Sequence, residues 1–428
     1  MTAVTSTPAA ATAPISLATA VVRSWKVPIA LGFFAVLGLI LFGVFGREGT
    51  STFRLSTSRD LIQLPEVALP TRATGFIIPA ILILLALYSA YLASRARKVP
   101  LWLIILYGVL FLVAFLTWAA AGSTIPVPGL LIGAVSLSVP LIFGALSGVI
   151  SERSGVINIA IEGQLLAGAF MSALVASITR QPLLGLLAAM VAGVLVSFVL
   201  AAFAIKYIVD QIIVGVVLNV LVAGLTSFLY STVMTANSAL NSPPRFERID
   251  IPILGEIPII GPVLFRQTII VYIMYITVAV VAYALFHTRW GLRTRSVGEH
   301  PQAADTVGIK VNTMRFWNVS LAGAIAGFGG AYFTLGSVGS FSKEMTAGAG
   351  FIALAAVIFG RWDPVRATLA GLLFGFATNL QSVLGIIGSP VPSEFMLMLP
   401  YVVTIFAVAG LVGQSRAPAA DGRPYIKS

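Results

Sequence analysis

"LWLIILYGVLFLVAFLTWAAA", residues 101–121, runs for twenty-one positions without a charge. A hydrocarbon layer about 30 Å thick takes roughly 20 apolar residues of helix to cross. Lipid offers backbone N–H and C=O groups no water, so a spanning segment must be a helix or a strand of a closed barrel. Barrel strands are about 10 residues long and alternate strictly between apolar and polar. Residues 101–121 are twice that length and apolar on every face, so they predict a helix. Val27–Gly46 and Leu183–Ile205 read the same way. The fold class that follows is all-α, a polytopic membrane helix bundle.

Working outward, twelve segments qualify: 27–46, 76–93, 101–121, 129–150, 155–178, 183–205, 211–233, 267–287, 316–338, 347–360, 366–387 and 395–413. The whole chain fits that density. It has 428 residues, of which 58% are hydrophobic and 10% charged, whereas soluble domains carry about 25% charged residues. One segment stands apart. Residues 347–360 supply only about 21 Å of helix at 1.5 Å per residue, so a short or broken crossing, screened from lipid by its neighbours, is expected there. A re-entrant hairpin is the alternative. Residues 1–22, rich in Ala, Thr and Pro, are expected to be disordered. Arg23 and Lys26 resemble the start of a signal peptide, but the apolar run behind them is long enough to be retained as a span.

Charge sets the orientation. With the N-terminus in the cytoplasm, inside loops carry 17 of the 26 Lys and Arg residues, the asymmetry that orients helical membrane proteins. The net charge of +11 is thereby accounted for by topology, and nucleic-acid binding is excluded. Other chemistries fall away in turn. There is no cysteine, and the two histidines, His287 and His300, lack acidic partners at ligand spacing, so no metal or cofactor is expected. None of the six lysines follows a glycine, which rules out a P-loop, and neither a GxSxG elbow nor an HExxH pair occurs. A selectivity filter or ring of like charges, as a channel would need, is likewise not visible.

Polar residues inside spans are costly and mark either a path or a contact between helices. Glu162 is the one carboxylate placed within a span, with Asn158 four residues earlier on the same helical face and Gln164 nearby. Two readings stand for it: a group on the substrate path, or a helix-to-helix hydrogen bond. Asn219, Asn379 and Gln381 are further intramembrane amides with the same two readings. Small residues four apart, Gly144/Gly148, Gly323/Gly327 and Gly371/Gly375, allow helix backbones to approach closely, within one bundle or between subunits.

The longest inside loop, 288–315, contains "GEHPQAADTVGIK" (298–310) ringed by Arg289, Arg293, Arg295, Lys310 and Arg315. Pro301 suits the first turn of a short helix over 302–307, and Gly308 suits its stop. A short surface helix, small on one face, can be pushed by a cytoplasmic motor; a plain solvated loop is the alternative reading.

That segment resembles the coupling loop of ABC importer permeases, in which a Glu, a pair of Ala and a Gly recur at this spacing. "SERSGVINIAIEGQLLAGAF" (151–170) and "MTAGAGFIALAAVIFGRWDPVRATLAGLLFGFATNLQ" (345–381) resemble signatures of permeases that import nucleosides or related simple sugars. The likeness covers about 129–410. It implies a bacterial inner-membrane protein with both termini cytoplasmic, a separate ATP-binding cassette subunit, a second permease subunit (commonly making a heterodimer) and an extracytoplasmic substrate-binding lipoprotein. It also implies that Glu299, Ala303, Ala304 and Gly308 couple to the ATPase, and that Asn158 and Glu162 stand at recurring motif positions. The expected organisation is a tail at 1–22, an extension of three extra spans at 23–128, the permease core at 129–413 and a cytoplasmic tail at 414–428. The extension departs from the usual pattern of the family. The chain itself is expected not to be an enzyme. Permeases for ribose-like sugars or branched-chain amino acids remain alternatives, as does an ion-driven secondary transporter with Glu162 as its proton site. The loop 234–266 is the expected landing for the binding protein.

Overall fold

A computed structural model describes residues 25–389, 391, 392, 394, 395, 398 and 416–427. The expected tail at 1–22 lies outside the described residues, and so does the span expected at 395–413 apart from Phe395 and Met398. Among the described residues ten helices are long and apolar enough to cross a membrane. These are α1 (Lys26–Gly38, continued by a π-helical turn to Val44), α2 (Thr71–Ser94), α3 (Leu101–Ala119), α4 (Val127–Arg153), α5 (Ile161–Thr179), α6 (Pro182–Ala201), α7 (Gln211–Leu229), α8 (Ile269–His287), α11 (Val311–Ala331, continued to Val338) and α13 (Pro364–Ile386). Between them lie three shorter α-helices, α9 (Arg289–Glu299), α10 (Pro301–Thr306) and α12 (Ala349–Phe359). The membrane helix bundle is thus as expected.

The chain divides into two compact units, Met1–Ser51 with Ala68–Ser123, and Thr52–Val67 with Thr124–Ser428. In the first, α1, α2 and α3 pack through Leu31, Ala35, Phe42, Leu82 and Leu103. Tyr107 donates its hydroxyl to the Leu31 carbonyl at 2.7 Å, so its polar tip is satisfied where no water is at hand.

The second unit is organised by glycine. Helices in lipid gain little from apolar burial against one another and associate by close packing instead. A Cβ built on Gly327 would fall 2.2 Å from the Ala189 carbonyl of α6, one on Gly193 2.0 Å from the Gly323 carbonyl, and one on Gly330 2.0 Å from the Leu165 carbonyl of α5. α11 is therefore pressed between α5 and α6. Gly375 meets Ala134 and Ser138, and Gly371 meets Ile142, seating α13 on α4, while Gly144 and Gly148 receive Ala353 and Val357 of α12. All three glycine pairs serve the bundle of this chain.

Two expectations shift. The apolar pattern predicts one continuous span over 155–178, but α5 begins only at Ile161, and 156–160 form a loop whose Asn158 is fully buried. Asn158 and Glu162 therefore do not share a helical face. The loop at 288–315 is also mostly helix. Thr288 caps α9 by accepting from the Gly291 N–H at 3.2 Å, and α10 starts with Pro301 as expected.

The short segment is a broken crossing. α12 ends beside the last turn of α4, where Arg153 Nε donates to the Trp362 carbonyl at 2.9 Å. α11 starts at that same end, since Arg315 Nε reaches the Ser154 carbonyl at 3.1 Å. At the far end of α11, Arg245 of the α7–α8 loop bonds the Ser337 carbonyl. The chain thus returns across the bundle through irregular backbone at 339–348 and then α12. At that break Ala347 has φ +45° and Gly348 φ +82°, left-handed geometry that a continuous helix cannot hold.

Candidate functional site: a mid-bundle break, a cavity and an exposed helix pair

The break in the crossing exposes the first N–H groups of α12, which have no partner within the helix. Glu162, at the first turn of α5, supplies one. Its Oε1 accepts from Thr346 Oγ1 at 2.6 Å and from the Gly348 N–H at 2.9 Å, and its Oε2 accepts from the Gly350 N–H at 2.6 Å. A negative group at a helix N-terminus also meets the positive end of the macrodipole. Of the two readings of Glu162, the geometry supplies the helix-to-helix bond directly.

The other polar residues sort similarly. Asn158 Nδ2 donates to Ser147 Oγ and Gln164 Oε1, and Gln164 Nε2 donates back to Asn158 Oδ1 and on to Ser197 Oγ. This buried chain links α4, the 156–160 loop, α5 and α6. Asn219 of α7 accepts from the Gly163 N–H at 2.8 Å and donates to the Ile159 carbonyl at 2.9 Å, so it caps the start of α5. Asn379 donates to the Leu130 carbonyl at 2.7 Å across the small surface of Gly133. Gln381 is half-buried and makes no such bond among the described residues.

Beside the Glu162 cage lies a cavity of about 250 Å³. Its walls are Ser136 and Pro140 of α4, Tyr332 and Phe333 at the π-helical end of α11, Thr346 before α12 and Thr378 of α13. None of Asn158, Glu162, Asn219, Asn379 and Gln381 lines it. Pro140 lacks the N–H that the Ser136 carbonyl would accept from, so a backbone acceptor is freed at the wall. π-helical turns recur at functional sites, and here one presents two aromatic rings. Hydroxyls, a free carbonyl and ring faces together suit a flat, uncharged ligand with several hydrogen-bonding groups. A proline inside the apolar run 129–150 was the one sequence signal for this wall; the hydroxyls and rings look like ordinary span residues until the break brings them together.

At the Arg153 end, α9 and α10 stand on the bundle. Gly298 rests on the backbone of Arg153, and Pro301 and Ala304 are buried. Glu299, Ala303 and Gly308 are exposed, as are Leu292 at 63% and Val307 at 75%. Gly308 has φ +85° and open space around it, as a helix stop requires. Of the four coupling candidates, then, three face outward and Ala304 holds the pair in place. Glu299 accepts from the Ala419 N–H of the C-terminal segment at 3.2 Å.

A broken crossing, a cavity at its break and an exposed amphipathic helix pair between two spans define the membrane-spanning subunit of a transporter. Residues 130–408 match the family described as branched-chain amino acid transport system / permease component, and the chain belongs to it. Guanosine ABC transporter permease protein NupQ of Bacillus subtilis (strain 168) is 44% identical over 301 residues, 67% of this chain and 93% of NupQ. Nucleoside ABC transporter permease protein NupC of Lactococcus lactis subsp. cremoris (strain MG1363) is 42% identical over 301 residues, 68% of this chain and 94% of NupC. NupB, a nucleoside ABC transporter permease protein of the same strain, is 23% identical over 356 residues, 81% of this chain and 91% of NupB. No solved structure matches the chain significantly.

Proposed function

We propose that this chain is the permease subunit of a bacterial ABC importer for nucleosides, a subunit that hydrolyses nothing itself. The observation that carries the reading is the α9–α10 pair: Leu292, Ala303 and Val307 are exposed on it, between two spans and among Arg289, Arg293 and Lys310. Exposed apolar residues rimmed by charge mark a protein contact. A separate ATP-binding cassette subunit docks there, on the cytoplasmic side, where both termini also lie. Its cycle moves the pair, the bundle tilts, and the cavity at the α12 break opens alternately to each face.

Similarity to NupQ and NupC supports a nucleoside as cargo, and similarity to both NupC and NupB of one strain supports a second, related permease as partner. The 234–266 loop carries exposed Ile253 and Ile260 and is the landing for an extracytoplasmic binding lipoprotein. Within the cavity, Tyr332 and Phe333 offer stacking to the base while Ser136, Thr346 and Thr378 offer bonds to ribose hydroxyls. The test is uptake of labelled guanosine, uridine, ribose and leucine into vesicles holding the chain with its ATPase, second permease and binding protein. ATP-dependent entry of the nucleosides alone is expected; uptake in the absence of any ATPase would overturn the reading.

A further inference from the structure

The last described segment, 416–427, is not left free. It is threaded between the α9–α10 pair and the loop that follows α4. Ala420 donates its N–H to the Gly298 carbonyl at 2.8 Å, at the end of α9. Tyr425 is buried in an apolar cluster with Val297 of α9, Ala304 of α10 and Val311 of α11. On the other side, Gly422, with φ +72°, lies against Ile157, the neighbour of Asn158.

One side chain holds the three parts together. Arg315, 2% exposed, reaches the Ser154 carbonyl with Nε at 3.1 Å, the Arg423 carbonyl with Nη1 at 2.8 Å and the Ala420 carbonyl with Nη2 at 3.5 Å. A guanidinium presents its donors in a fixed fork, so these three carbonyls are set relative to one another by one rigid group. Gly155 is glycine for the same reason: with φ +90°, a Cβ there would fall 2.6 Å from Arg315 Nη2.

We propose that residues 416–427 are a strap that carries displacement of the α9–α10 pair to the 154–158 loop, and through Asn158 to Gln164 and the interior of the bundle. The strap is a positioning element. It touches neither cargo nor nucleotide, and it makes the coupling helices and the α4–α5 loop move as one body. Without it, Gly298 on Arg153 and the helix packing remain, but the link from Arg315 to the tail carbonyls is gone.

The proposal rests on the importer reading, and the experiment separates the two. The chain has no cysteine, and Ser337, near the end of the π-helical continuation of α11, also lines the cavity, so Ser337→Cys places a single thiol on the cavity wall. Its labelling rate is followed in the assembled complex, with and without ATP, for the full chain and for one ending at residue 415. In the full chain ATP should change the rate by at least about fivefold, the lower end of common allosteric couplings. In the truncated chain, with the ATPase still co-purifying and hydrolysing, the change should fall below about twofold. An unchanged ATP response after truncation overturns the strap. A full chain that does not respond to ATP at all overturns the importer reading and the strap with it.

A second variant covers a truncated chain that fails to assemble. Ala304→Cys with Tyr425→Cys, added to the reporter, locks the strap to α10 on oxidation. A body that moves as one keeps its ATP response when locked. Loss of the response on oxidation, restored by reductant, would mean that the tail must leave its seat, and would overturn the proposal.

Discussion

Glu162 holds three donors with two oxygens, two of them backbone N–H groups, of Gly348 just before α12 and of Gly350 in its first turn. Glu162→Gln keeps the shape but turns one acceptor into a donor aimed at another donor. An unsatisfied buried group of this kind costs about 1–3 kcal/mol, so the variant should melt at lower temperature in detergent, while uptake stays dependent on ATP and indifferent to collapse of the proton gradient. Loss of uptake whenever that gradient collapses, in the unaltered protein and not in the variant, would instead make Glu162 a proton site. Asp421 is the second informative residue. Burial pushes its carboxyl up to about 7, against the lowering effects of the Gly422 N–H and the Arg315 guanidinium; Glu152 of α4 is a further titratable group beside it. Its Oδ1 has no hydrogen-bond partner among the described residues. A seated tail therefore binds a proton that a released tail gives up at the ordinary carboxylate value near 4. Seating should weaken as pH rises from about 4 to about 7 and level off above. A spin label at Ile426→Cys should grow more mobile over that range, and Asp421→Asn should flatten the curve.

At the scale of elements, the glycine contacts and the exposed helix pair predict opposite kinds of damage. Gly327→Leu puts a side chain where the Ala189 carbonyl stands. Overpacking costs about 1–3 kcal/mol and sometimes more, and because α5, α6 and α11 share this seam the loss should appear as poor yield of folded protein in detergent. Val307→Asp alters only an exposed position. Its melting point should be unchanged, but it should weaken co-purification of the ATPase by tenfold or more, about 1.4 kcal/mol. Helix existence was legible from apolar runs of about 20 residues, and the start of α10 from Pro301. The helix α9 was not: it is polar, eleven residues long, and it is held by the bundle beneath it, which no local pattern reports. The start of α5 was missed because Val156–Ala160 is as apolar as the helix that follows, and only Asn219 bonding to Ile159 and Gly163 fixes where the helix begins.

For the molecule as a whole, the proposed importer role predicts ATP-driven nucleoside entry, which should vanish in the Val307→Asp protein while substrate-binding protein capture persists. The sequence by itself determined that this is a membrane bundle, where most of the spans among the described residues lie and which family it belongs to, and it singled out 298–310 as a polar segment between two spans. Those conclusions follow from the thickness of the bilayer, the cost of unpaired backbone in lipid and motifs contiguous in the chain. Only the tertiary structure decided what the buried polar residues do. Glu162 meets a helix start nearly two hundred positions away, the cavity wall gathers Ser136, Tyr332, Thr346 and Thr378 from four separate stretches, and Arg315 finds carbonyls at both 154 and 423. Hydrogen bonds act over about 3 Å of space, and a helix break or a close glycine contact elsewhere is what brings such distant residues within that reach.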